Sequence, residues 1–478
     1  AVSLEGAEFT INYYDTLGSI DGRNAYRTWV IKTVWDASYN AYVAKLDDAH
    51  LVSGTLFKTP YGSSYIPLGT ITIQETKAPN NYTTDGGYLK ANGEQFSAND
   101  KMTFQIVNEN SMAVIHAGNV FTKKEDAIRG GYKLEKQDWS TGATAEGDAS
   151  LAGAEFDLYY LGDGTDSNVS IKLDKDGDGL GEGTEYLPSD TTPIDHITVG
   201  EDGTYTSSAT YLGYGKYKVV ETKSPEGYLL TSYDAALISK EFFVSDDTAT
   251  VEVPVANYPF LGSFKIQKND NELKEAYAQG DSNLQTTFEI INASAHPVTV
   301  LNHTYAVGEA IDIEGNGNTT FTTDENGFYQ SAEKILPYGT YTINEINPPL
   351  GHNSDGTTSY TFSIRNHGEY VDATYKIFND VVRGGFKIQK NDIDYDTRSQ
   401  GDTNLQATFE IINKSNADVL VDVNGDGVLG KDSESFAPNA KITDFTTDEN
   451  GYYETASDFL PYGTYQINPY KEVSGFKC

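Results

Sequence analysis

The sequence predicts an all-β protein, an elongated array of tandem β-sandwiches, and internal repetition carries that prediction. Residues 262–270 (GSFKIQKND) return almost unchanged as residues 384–392, and residues 130–138 are a more divergent copy. Residues 336–341 (LPYGTY) return 124 residues later as residues 460–465. Apolar and polar residues alternate within these phrases, as they do in strands with one buried face. No stretch shows convincing helical periodicity.

The same order of elements recurs in each repeat. A lysine-bearing strand comes first, followed by a Phe-Glu-Ile-Ile type strand, an irregular insert, an Asp-Glu-Asn-Gly turn and a Tyr-Gly-x-Tyr strand. The turns stand at residues 324–327 and 448–451. From this order we expect four β-sandwiches, called repeats one to four below: residues 1–128 without a first strand, 129–260 with an acidic loop insert, 261–382, and 383–478 without a last strand.

Composition excludes several classes of function. The chain has 478 residues, with 70 acidic against 34 basic side chains and a net charge of −36. This charge disfavours nucleic acid and anionic membrane surfaces, and it suits a soluble, self-repelling surface or the binding of divalent cations. No apolar run approaches the length of a membrane span, so no membrane insertion is expected within this chain.

Ala1 does not open a signal peptide, so we expect a trimmed or processed piece. Cys478 is the single cysteine, so we expect no disulfides.

A lysine, a glutamate and an asparagine recur at fixed places in the repeats. The lysine stands near the end of the first strand, the glutamate ends the Tyr-Gly-x-Tyr strand and the asparagine ends the last strand. Two sets are complete, Lys136–Glu221–Asn257 and Lys268–Glu345–Asn379. Members of incomplete sets are Glu75 and Asn119 in repeat one and Lys390 in repeat four.

These motifs resemble the B-type repeats of the collagen adhesins, the Ig-like, prealbumin-like domains that also build Gram-positive pilins. The likeness rests on Lys-x-Asp in the first strand, Leu-x-Gly-Ala-x-Phe in the second, and Tyr-x-Val-x-Glu-Thr-x-x-Pro-x-Gly-Tyr at residues 217–228. It covers essentially the whole chain, with His352 in place of the final tyrosine in repeat three. The resemblance implies a spontaneous isopeptide bond between the lysine and asparagine side chains, promoted by the glutamate.

The physical chemistry of that reaction requires these residue types. A lysine buried among apolar side chains loses hydration, which favours its neutral, nucleophilic amine. Burial raises the pKa of a glutamate, so it can stay protonated and relay protons as ammonia leaves the asparagine. Holding amine and amide in contact removes the entropic part of the barrier. The alternative is that the lysines snorkel from strand edges and that the glutamates and asparagines are ordinary turn and edge residues.

The two end repeats are not expected to close this bond within the visible chain. Repeat one begins past the position where its lysine strand should lie. Repeat four carries Pro469 at the position of Glu221 and Glu345, and Glu472 is a poor substitute. We interpret the incomplete first and fourth repeats as the result of truncating a longer repeat protein. The alternative is that a neighbouring chain donates the missing strand, in a head-to-tail self-association.

An insert in repeat two predicts a structural Ca²⁺ site. Residues 174–185 (DKDGDGLGEGTE) fit the EF-hand loop, with oxygens at positions one, three, five, nine and twelve and glycine at six. The expected ligands are Asp174, Asp176, Asp178, the Leu180 carbonyl, Glu182 and Glu185. A second loop begins similarly with Asp422, Asn424 and Asp426, but its twelfth position is Ser433. The alternative is an acidic, glycine-rich hairpin.

These observations favour a structural stalk of a secreted or cell-wall-displayed bacterial pilin or adhesin. No enzymatic turnover is expected beyond a single self-cross-linking, because the seven histidines lack metal spacing and nucleophile signatures are missing. One alternative is a ligand-binding adhesin head, for which Trp29 and Trp35 in repeat one are the place to look. Another is a non-catalytic module of a large extracellular enzyme. The sequence names no surface ligand.

Overall fold

The computed structural model describes residues 3–83, 101–107, 126–162, 169–230, 238–274, 277–430 and 434–472. The chain is all-β, as the sequence predicts. Nowhere in its described part is there a helix long and apolar enough to cross a membrane. The chain forms two compact units: Ala1–Lys136, Gly153–Lys223 and Thr231–Val255 make the first, and Gln137–Ala152, Ser224–Leu230 and Ala256–Cys478 make the second. The four-domain boundaries stay a prediction.

The strands are numbered in chain order. Repeat one contains β1 (Glu8–Tyr14), β2 (Arg27–Lys32), β3 (Val34–Asp36), β4 (Ala41–Val43), β5 (Leu51–Ser53), β6 (Phe57–Lys58), β7 (Ser64–Tyr65), β8 (Gly69–Lys77), β9 (Tyr82–Thr83), β10 (Met102–Ile106) and β11 (Asp126–Ala127). Repeat two contains β12 (Arg129–Asp138), β13 (Glu155–Gly162), β14 (Ile171–Leu173), β15 (Glu182–Tyr186), β16 (Asp195–Thr198), β17 (Thr204–Thr206), β18 (Leu212–Gly213), β19 (Gly215–Lys223), β20 (Ser239–Val244) and β21 (Thr250–Asn257).

Repeat three contains β22 (Leu261–Asp270), β23 (Thr287–Asn292), β24 (Val298–Val300), β25 (His303–Tyr305), β26 (Thr320–Thr322), β27 (Phe328–Gln330), β28 (Leu336–Pro337), β29 (Gly339–Glu345), β30 (His352–Thr357), β31 (Ser359–Ile364) and β32 (Tyr370–Val381). Repeat four contains β33 (Arg383–Gly384), β34 (Lys387–Gln389), β35 (Ala407–Asn413), β36 (Val419–Leu420), β37 (Ser435–Phe436), β38 (Lys441–Thr446), β39 (Tyr452–Glu454), β40 (Leu460–Pro461) and β41 (Tyr465–Glu472).

In the first unit, repeat one is organised around a five-stranded sheet in the order β10-β8-β1-β2-β5. Alternate residues of β1 and β2 face inward, so Ile11, Tyr13 and Trp29 form a core. The indole of Trp29 is fully buried and donates a hydrogen bond to the Thr55 carbonyl (2.7 Å). Trp29 is therefore a core residue and is not available to a surface ligand.

The part of repeat two in the first unit has two sheets. One has the order β16-β13-β19-β20, and in the other β12 pairs with β17, β18 and β21. Strand β13 alternates strictly between half-buried and buried residues, as expected for a strand with one face on the core. Phe156, Tyr217 and Val255 belong to the single core cluster between the sheets.

In the second unit, repeat three is a two-sheet sandwich. One sheet has the order β27-β22-β32-β30, with β28 also pairing β22, and the other has the order β26-β23-β29-β31. Phe264, Phe288 and Tyr341 pack between them, fully buried. The first strand, β22, pairs with the last, β32, in parallel, whereas the other described ladders of this sandwich are antiparallel. A parallel pair brings the C-terminal ends of both strands to the same place.

Repeat four keeps only part of this plan within its described residues. Its largest sheet is three-stranded, in the order β38-β35-β41, and β34 pairs only with β39. Phe409, Ile411 and Phe445 form its core. The lysine strand β34 has three residues, against ten in β22.

Candidate cross-link and metal sites

The parallel pairing of β22 and β32 positions one complete set of the candidate cross-link residues. Lys268 on β22 is in register with Ile377 on β32, and Asp270 is in register with Asn379. Glu345 ends β29, where it lies opposite Phe288 of β23. The lysine and asparagine are fully buried, and the glutamate side chain is 2% exposed. Three elements distant in sequence thus place an amine, a carboxyl and a carboxamide in the core.

The polar atoms of this set lack ordinary partners. The Lys268 Nζ atom lies 3.7 Å from Glu345 Oε1, just beyond hydrogen-bonding distance. Among the described residues, no hydrogen-bond partner was found for that nitrogen, for either Glu345 oxygen or for either amide atom of Asn379. Leaving buried polar groups unpaired costs a few kcal/mol each, at the order of magnitude seen in mutational data. A functional reason for the arrangement is therefore expected.

Burial shifts the pKa values of two groups in this set. Burial lowers the pKa of Lys268 from its ordinary 10.5 to about 8, although the nearby Glu345 carboxylate raises it in part. Burial raises the pKa of Glu345, and the neighbouring Lys268 and Asn379 side chains oppose that rise. Near neutral pH a neutral amine beside a protonated carboxyl group is therefore energetically accessible.

The second complete set is also buried. Lys136 is 1% exposed, and its Nζ atom donates to the Val255 carbonyl (3.1 Å) in the first unit. Glu221 is buried in that unit and lies opposite Phe156, in the register that Glu345 has with its phenylalanine. Asn257 belongs to the second unit, where it is buried and donates to the Leu229 carbonyl (2.9 Å).

The aspartate of the Lys-x-Asp motif is a further residue of this site. The motif was recognised in the sequence, but no role was predicted for its aspartate. Asp270 is fully buried and accepts hydrogen bonds from the amides of Glu272 and Leu273, which fixes the turn after the lysine strand. Its Oδ2 lies 3.4 Å from the Nε2 of His352, the residue that replaces tyrosine in this repeat. Burial raises the pKa of Asp270, but His352 and the two amides more than offset this and hold it below its usual value. The recurrence of this motif in three repeats was the sequence signal that could have identified the aspartate as a site residue.

The acidic loop of repeat two gathers four of its predicted ligands. Carboxylate oxygens of Asp174, Asp176, Asp178 and Glu182 lie within 4.8 Å of one another. The loop connects the paired strands β14 and β15. Glu185 lies in β15 and pairs with Lys172 (3.6 Å), so the structure does not bring it to the others as the EF-hand pattern predicts.

Asp174 organises this loop. Its carboxylate accepts hydrogen bonds from the amides of Gly177 (2.7 Å) and Gly179 (2.9 Å) and from the Thr210 hydroxyl (2.5 Å). Burial raises its pKa, but these three donors more than compensate and lower it below the usual value. The amide of Leu180 donates to Asp178 (2.8 Å). These hydrogen bonds favour the ionised carboxylate of Asp174, the first of the predicted ligands.

Two other loops have the same backbone form. Asp422 accepts from the amides of Gly425 and Gly427, and Asn424 Nδ2 donates to Asp426 (3.1 Å). Asp312 in repeat three likewise accepts from the amides of Gly315 and Gly317 (both 2.7 Å), and the sequence reasoning missed it. Its spacing, Asp-x-Glu-x-Asn-Gly at residues 312–317, was the available signal. The tight four-carboxylate group at Asp174 is the one such cluster found among the described residues.

Comparison with known proteins decides the family. The pattern of the family described as "SpaA: Prealbumin-like fold domain" matches residues 130–259 and 262–377, which is more than half of the chain. The chain belongs to this SpaA family. None of the curated proteins matches the sequence.

Several solved structures are similar to this SpaA-family chain. The Bacillus anthracis TIE protein is 16% identical over 98% of this chain, with a TM-score of 0.40, and the chain covers 64% of that protein. The Streptococcal ancillary pilin is 15% identical over 80% of this chain and 94% of its own, with a TM-score of 0.22. The shaft pilin spaA from Lactobacillus rhamnosus GG is 17% identical over 53% of this chain and 98% of its own, with a TM-score of 0.20.

The two SpaA-family matches coincide with the two repeats that carry complete reactive sets. In repeat one, Glu75 is buried opposite Phe9, and Asn119 lies outside the described residues. In repeat four, Lys390 is half-buried, and Pro469 lies opposite Phe409. The register thus shows that a proline occupies the glutamate position of repeat four, as the sequence comparison predicted.

Proposed function

We propose that this chain is a structural stalk of a secreted or cell-wall-displayed bacterial pilin or adhesin, cross-linked by Lys–Asn isopeptide bonds. The bonds join Lys268 to Asn379 and Lys136 to Asn257, and each forms once, without turnover. The observation that carries the proposal is the buried amine–carboxyl pair of Lys268 and Glu345, beside an asparagine on the parallel last strand. Membership of the SpaA family and the likeness to pilin folds support it.

The proposed reaction is an amide exchange that balances without a co-reactant. The neutral amine of Lys268 attacks the side-chain carbonyl carbon of Asn379, forming the Nζ–Cγ bond. Glu345 donates a proton to the carboxamide oxygen and takes it back when the tetrahedral intermediate collapses, and it relays the proton released by the amine to the departing nitrogen. The Cγ–Nδ2 bond breaks and ammonia leaves. Burial excludes water that would compete for the same carbon.

Such a bond suits a load-bearing role. Force entering at the start of β22 and leaving after β32 passes through Lys268 and Asn379, because both stand near the ends of adjacent parallel strands. The residues between them are then shielded from the load. By analogy with disulfides, closing a loop of this length removes unfolded-state entropy worth about 4–5 kcal/mol.

Intact mass of the denatured chain tests the proposal. Each bond removes one ammonia, so we expect the mass to fall short of the sequence mass by two ammonia molecules. Peptide mapping should recover Lys268 linked to Asn379 and Lys136 linked to Asn257. A chain of full sequence mass would falsify the cross-links, and the stalk proposal would lose its main support.

We also propose that the Asp174 loop binds a structural Ca²⁺ ion, because its four carboxylate groups form a compact cluster. Asp174, Asp176, Asp178 and Glu182 would supply oxygen ligands of the kind that Ca²⁺ prefers. Calorimetric titration with CaCl₂ should show binding that Asp176→Asn removes. The matched variant Asp426→Asn, in the similar loop of repeat four, should leave it intact. If no heat is seen at millimolar Ca²⁺, the loop is only a hairpin.

A further inference from the structure

A buried glutamate outside the cross-link site lies where residues 137–152 contact repeat three, and both parts belong to the second unit. Glu146 is 1% exposed, and its Oε1 atom accepts a hydrogen bond from the backbone amide of Thr299. Among the described residues, no hydrogen-bond partner was found for its Oε2 atom. Burying an ionised carboxylate with one oxygen unpaired is unfavourable, so this side chain needs a physical explanation.

The glutamate belongs to a contact that holds residues 146–148 against repeat three, which we call the acid joint. The amide of Gly147 donates to the Pro297 carbonyl (3.0 Å), and the amide of Asp148 donates to the Tyr338 carbonyl (3.1 Å). Gly147 has φ +62°, and a Cβ atom there would clash with the Tyr338 carbonyl oxygen. The two segments therefore approach so closely that only glycine fits at this position.

A second joint of the same form connects repeats three and four, and we call it the amide joint. Residues 279–281 (QGD) correspond to residues 146–148 (EGD), so a glutamine stands where the acid joint has its glutamate. The amide of Asp281 donates to the Tyr462 carbonyl (3.2 Å). A Cβ atom on Gly280, with φ +66°, would clash with that carbonyl oxygen. The chain thus has a matched pair of joints, one with a carboxyl group and one with a neutral carboxamide.

The glutamine of the amide joint uses both ends of its carboxamide. The Oε1 atom of Gln279 accepts from the backbone amide of Leu420 in repeat four (3.2 Å). Its Nε2 atom donates to Oδ2 of Asp270 (3.3 Å), the aspartate that ends the lysine strand β22. A neutral carboxamide can make both contacts because it carries an acceptor and donors on one group. Gln279 thus connects the end of the lysine strand to the next repeat.

The corresponding aspartate lies near Glu146 in the acid joint and acts on it electrostatically. Asp138 ends β12 and is 1% exposed, and its Oδ1 atom accepts from the amides of Ser140 (2.6 Å) and Thr141 (2.9 Å). No hydrogen-bond partner was found for its buried Oδ2 atom among the described residues. An ionised Glu146 has no proton to offer this oxygen. A protonated Glu146 can accept at Oε1 and donate from Oε2, as the glutamine does.

The surroundings of Glu146 favour the protonated form. Burial raises its pKa from the ordinary 4.5 to about 7, and the charge of Asp138 adds to that rise. The hydrogen bond from the Thr299 amide opposes it. A second negative charge in a buried site beside Asp138 is unfavourable, so the closed joint prefers a proton on Glu146.

Two phenols and an ion pair also lie around Glu146. The Tyr228 hydroxyl accepts from the Glu146 amide (3.3 Å), and Tyr341 interacts with its charge. Burial raises the pKa of both phenols, so they stay neutral near pH 7. Asp148 is paired with Arg365 (2.9 Å), so that guanidinium is already engaged. The charge of an ionised Glu146 is therefore left without compensation from these groups.

We propose that Glu146 is protonated in the acid joint, donates a hydrogen bond to Asp138, and weakens the joint when it ionises. The amide joint lacks this switch because Gln279 does not titrate. The array then contains one joint between repeats whose strength depends on the proton of a buried carboxyl group. This inference goes beyond the proposed stalk function and does not rest on the Lys–Asn bonds.

The direction of the pH effect follows from the raised pKa of Glu146. The closed joint binds more protons than the open one between pH 4.5, the ordinary value, and about pH 7. Its stability is therefore fully present below about pH 4.5 and is lost as pH rises through about 7. The equilibrium constant for opening should rise by at most about tenfold per pH unit in this window.

Hydrogen exchange of the full chain measures the opening of the joint. Exchange at the Asp148 amide, corrected for the intrinsic effect of pH on amide exchange, gives its protection at pH 5 and pH 8. We expect this protection to fall at least about tenfold between the two values in the chain without substitutions. Glu146→Gln copies the glutamine of the amide joint and should abolish the fall.

Two controls show whether the effect belongs to the acid joint. Exchange at the Asp281 amide of the amide joint should be the same in the Glu146→Gln variant and in the chain without substitutions at each pH. Glu333→Gln removes an exposed carboxyl group of repeat three and should retain the fall at Asp148. If the chain without substitutions shows no fall at Asp148, or if Glu146→Gln shows the same fall, the proposal is wrong. Neither outcome depends on whether the mass test finds the Lys–Asn bonds.

Discussion

Repeats three and four share the phrase Gly-x-Phe-Lys-Ile-Gln-Lys-Asn-Asp, but the structure uses it differently. In repeat three it lies within the ten-residue strand β22, and Lys268 is fully buried. In repeat four the strand shrinks to the three residues of β34, and Lys390 is half-buried. Nearly identical local sequence therefore does not decide whether the lysine is buried.

The difference comes from the strand beside it. β22 is covered along its length by the parallel strand β32, which also brings Asn379. Among the described residues of repeat four, β34 pairs only with β39. The two repeats also differ at the position of Glu345, where repeat four has Pro469. The burial of Lys268, which lowers its pKa, thus depends on the last strand.

The largest expected effect is the loss of the repeat-three bond in Glu345→Gln. Glutamine preserves the shape of the side chain but cannot relay a proton, so the Lys268–Asn379 bond should not form. The deficit between the intact mass and the sequence mass of the variant should be one ammonia instead of two, because the repeat-two bond is retained. Calorimetry should show the unfolding free energy of repeat three reduced by about 4–5 kcal/mol, the loop-closure value.

Glu333→Gln is the matched control for that experiment, because Glu333 is exposed in the same repeat. It should change neither the mass deficit nor the melting of repeat three. If Glu345→Gln keeps the full ammonia deficit, the glutamate does not promote the bond.

A pH effect of intermediate size is expected in Asn379→Ala, which leaves Lys268 as a free, buried amine. Its pKa is about 8 in the folded chain and 10.5 ordinarily, so the unfolded chain binds more protons between these values. Stability should therefore rise as pH increases from about 8 to about 10.5, by at most ~1.4 kcal/mol per pH unit. Urea unfolding at several pH values measures the slope.

The double variant Lys268→Met with Asn379→Ala should lose the contribution of Lys268 to that slope, since it has no amine to titrate. The chain without substitutions should also lack this contribution. Its Lys268 nitrogen is an amide nitrogen in the proposed bond, and an amide does not titrate in this range. Equal slopes in all three proteins would contradict the assignment of the low pKa to Lys268.

The fold class was predictable from sequence because it depends on repetition, and the same repetition selects Lys268, Glu345 and Asn379 as candidate reactive residues. The places of Lys268, Glu345 and Asn379 within one repeat were sufficient to predict that they act together. The hydrogen-bonded pairing of β22 with β32 did not need to be known. The proline at position 469 was also visible, since the aligned glutamates of other repeats mark its place.

The sequence did not show which strands pair over long distances, and the surroundings of several side chains depend on that pairing. The EF-hand pattern placed Glu185 among the calcium ligands, but its strand directs it toward Lys172 instead. The aromatic character of Trp29 suggested a binding surface, but its position on β2 puts it in the core. The contact of Gly280 and Asp281 with the Tyr462 carbonyl was not predicted, because these two residues look like an ordinary turn in the sequence.

The smallest expected effect concerns Lys390. Because this lysine is half-buried whereas Lys268 is fully buried, Lys390→Ala should change stability far less than loss of the repeat-three bond, by about 1 kcal/mol or less. An amine-reactive label should modify Lys390 in the native chain, and should modify Lys268 neither before nor after unfolding, because its nitrogen is then an amide. In Asn379→Ala, Lys268 should react only after unfolding. If Lys390 becomes more protected from the label as the protein concentration rises, the expectation that it reacts in the native chain is wrong. Such protection would show that a second chain covers β34, as strand donation requires.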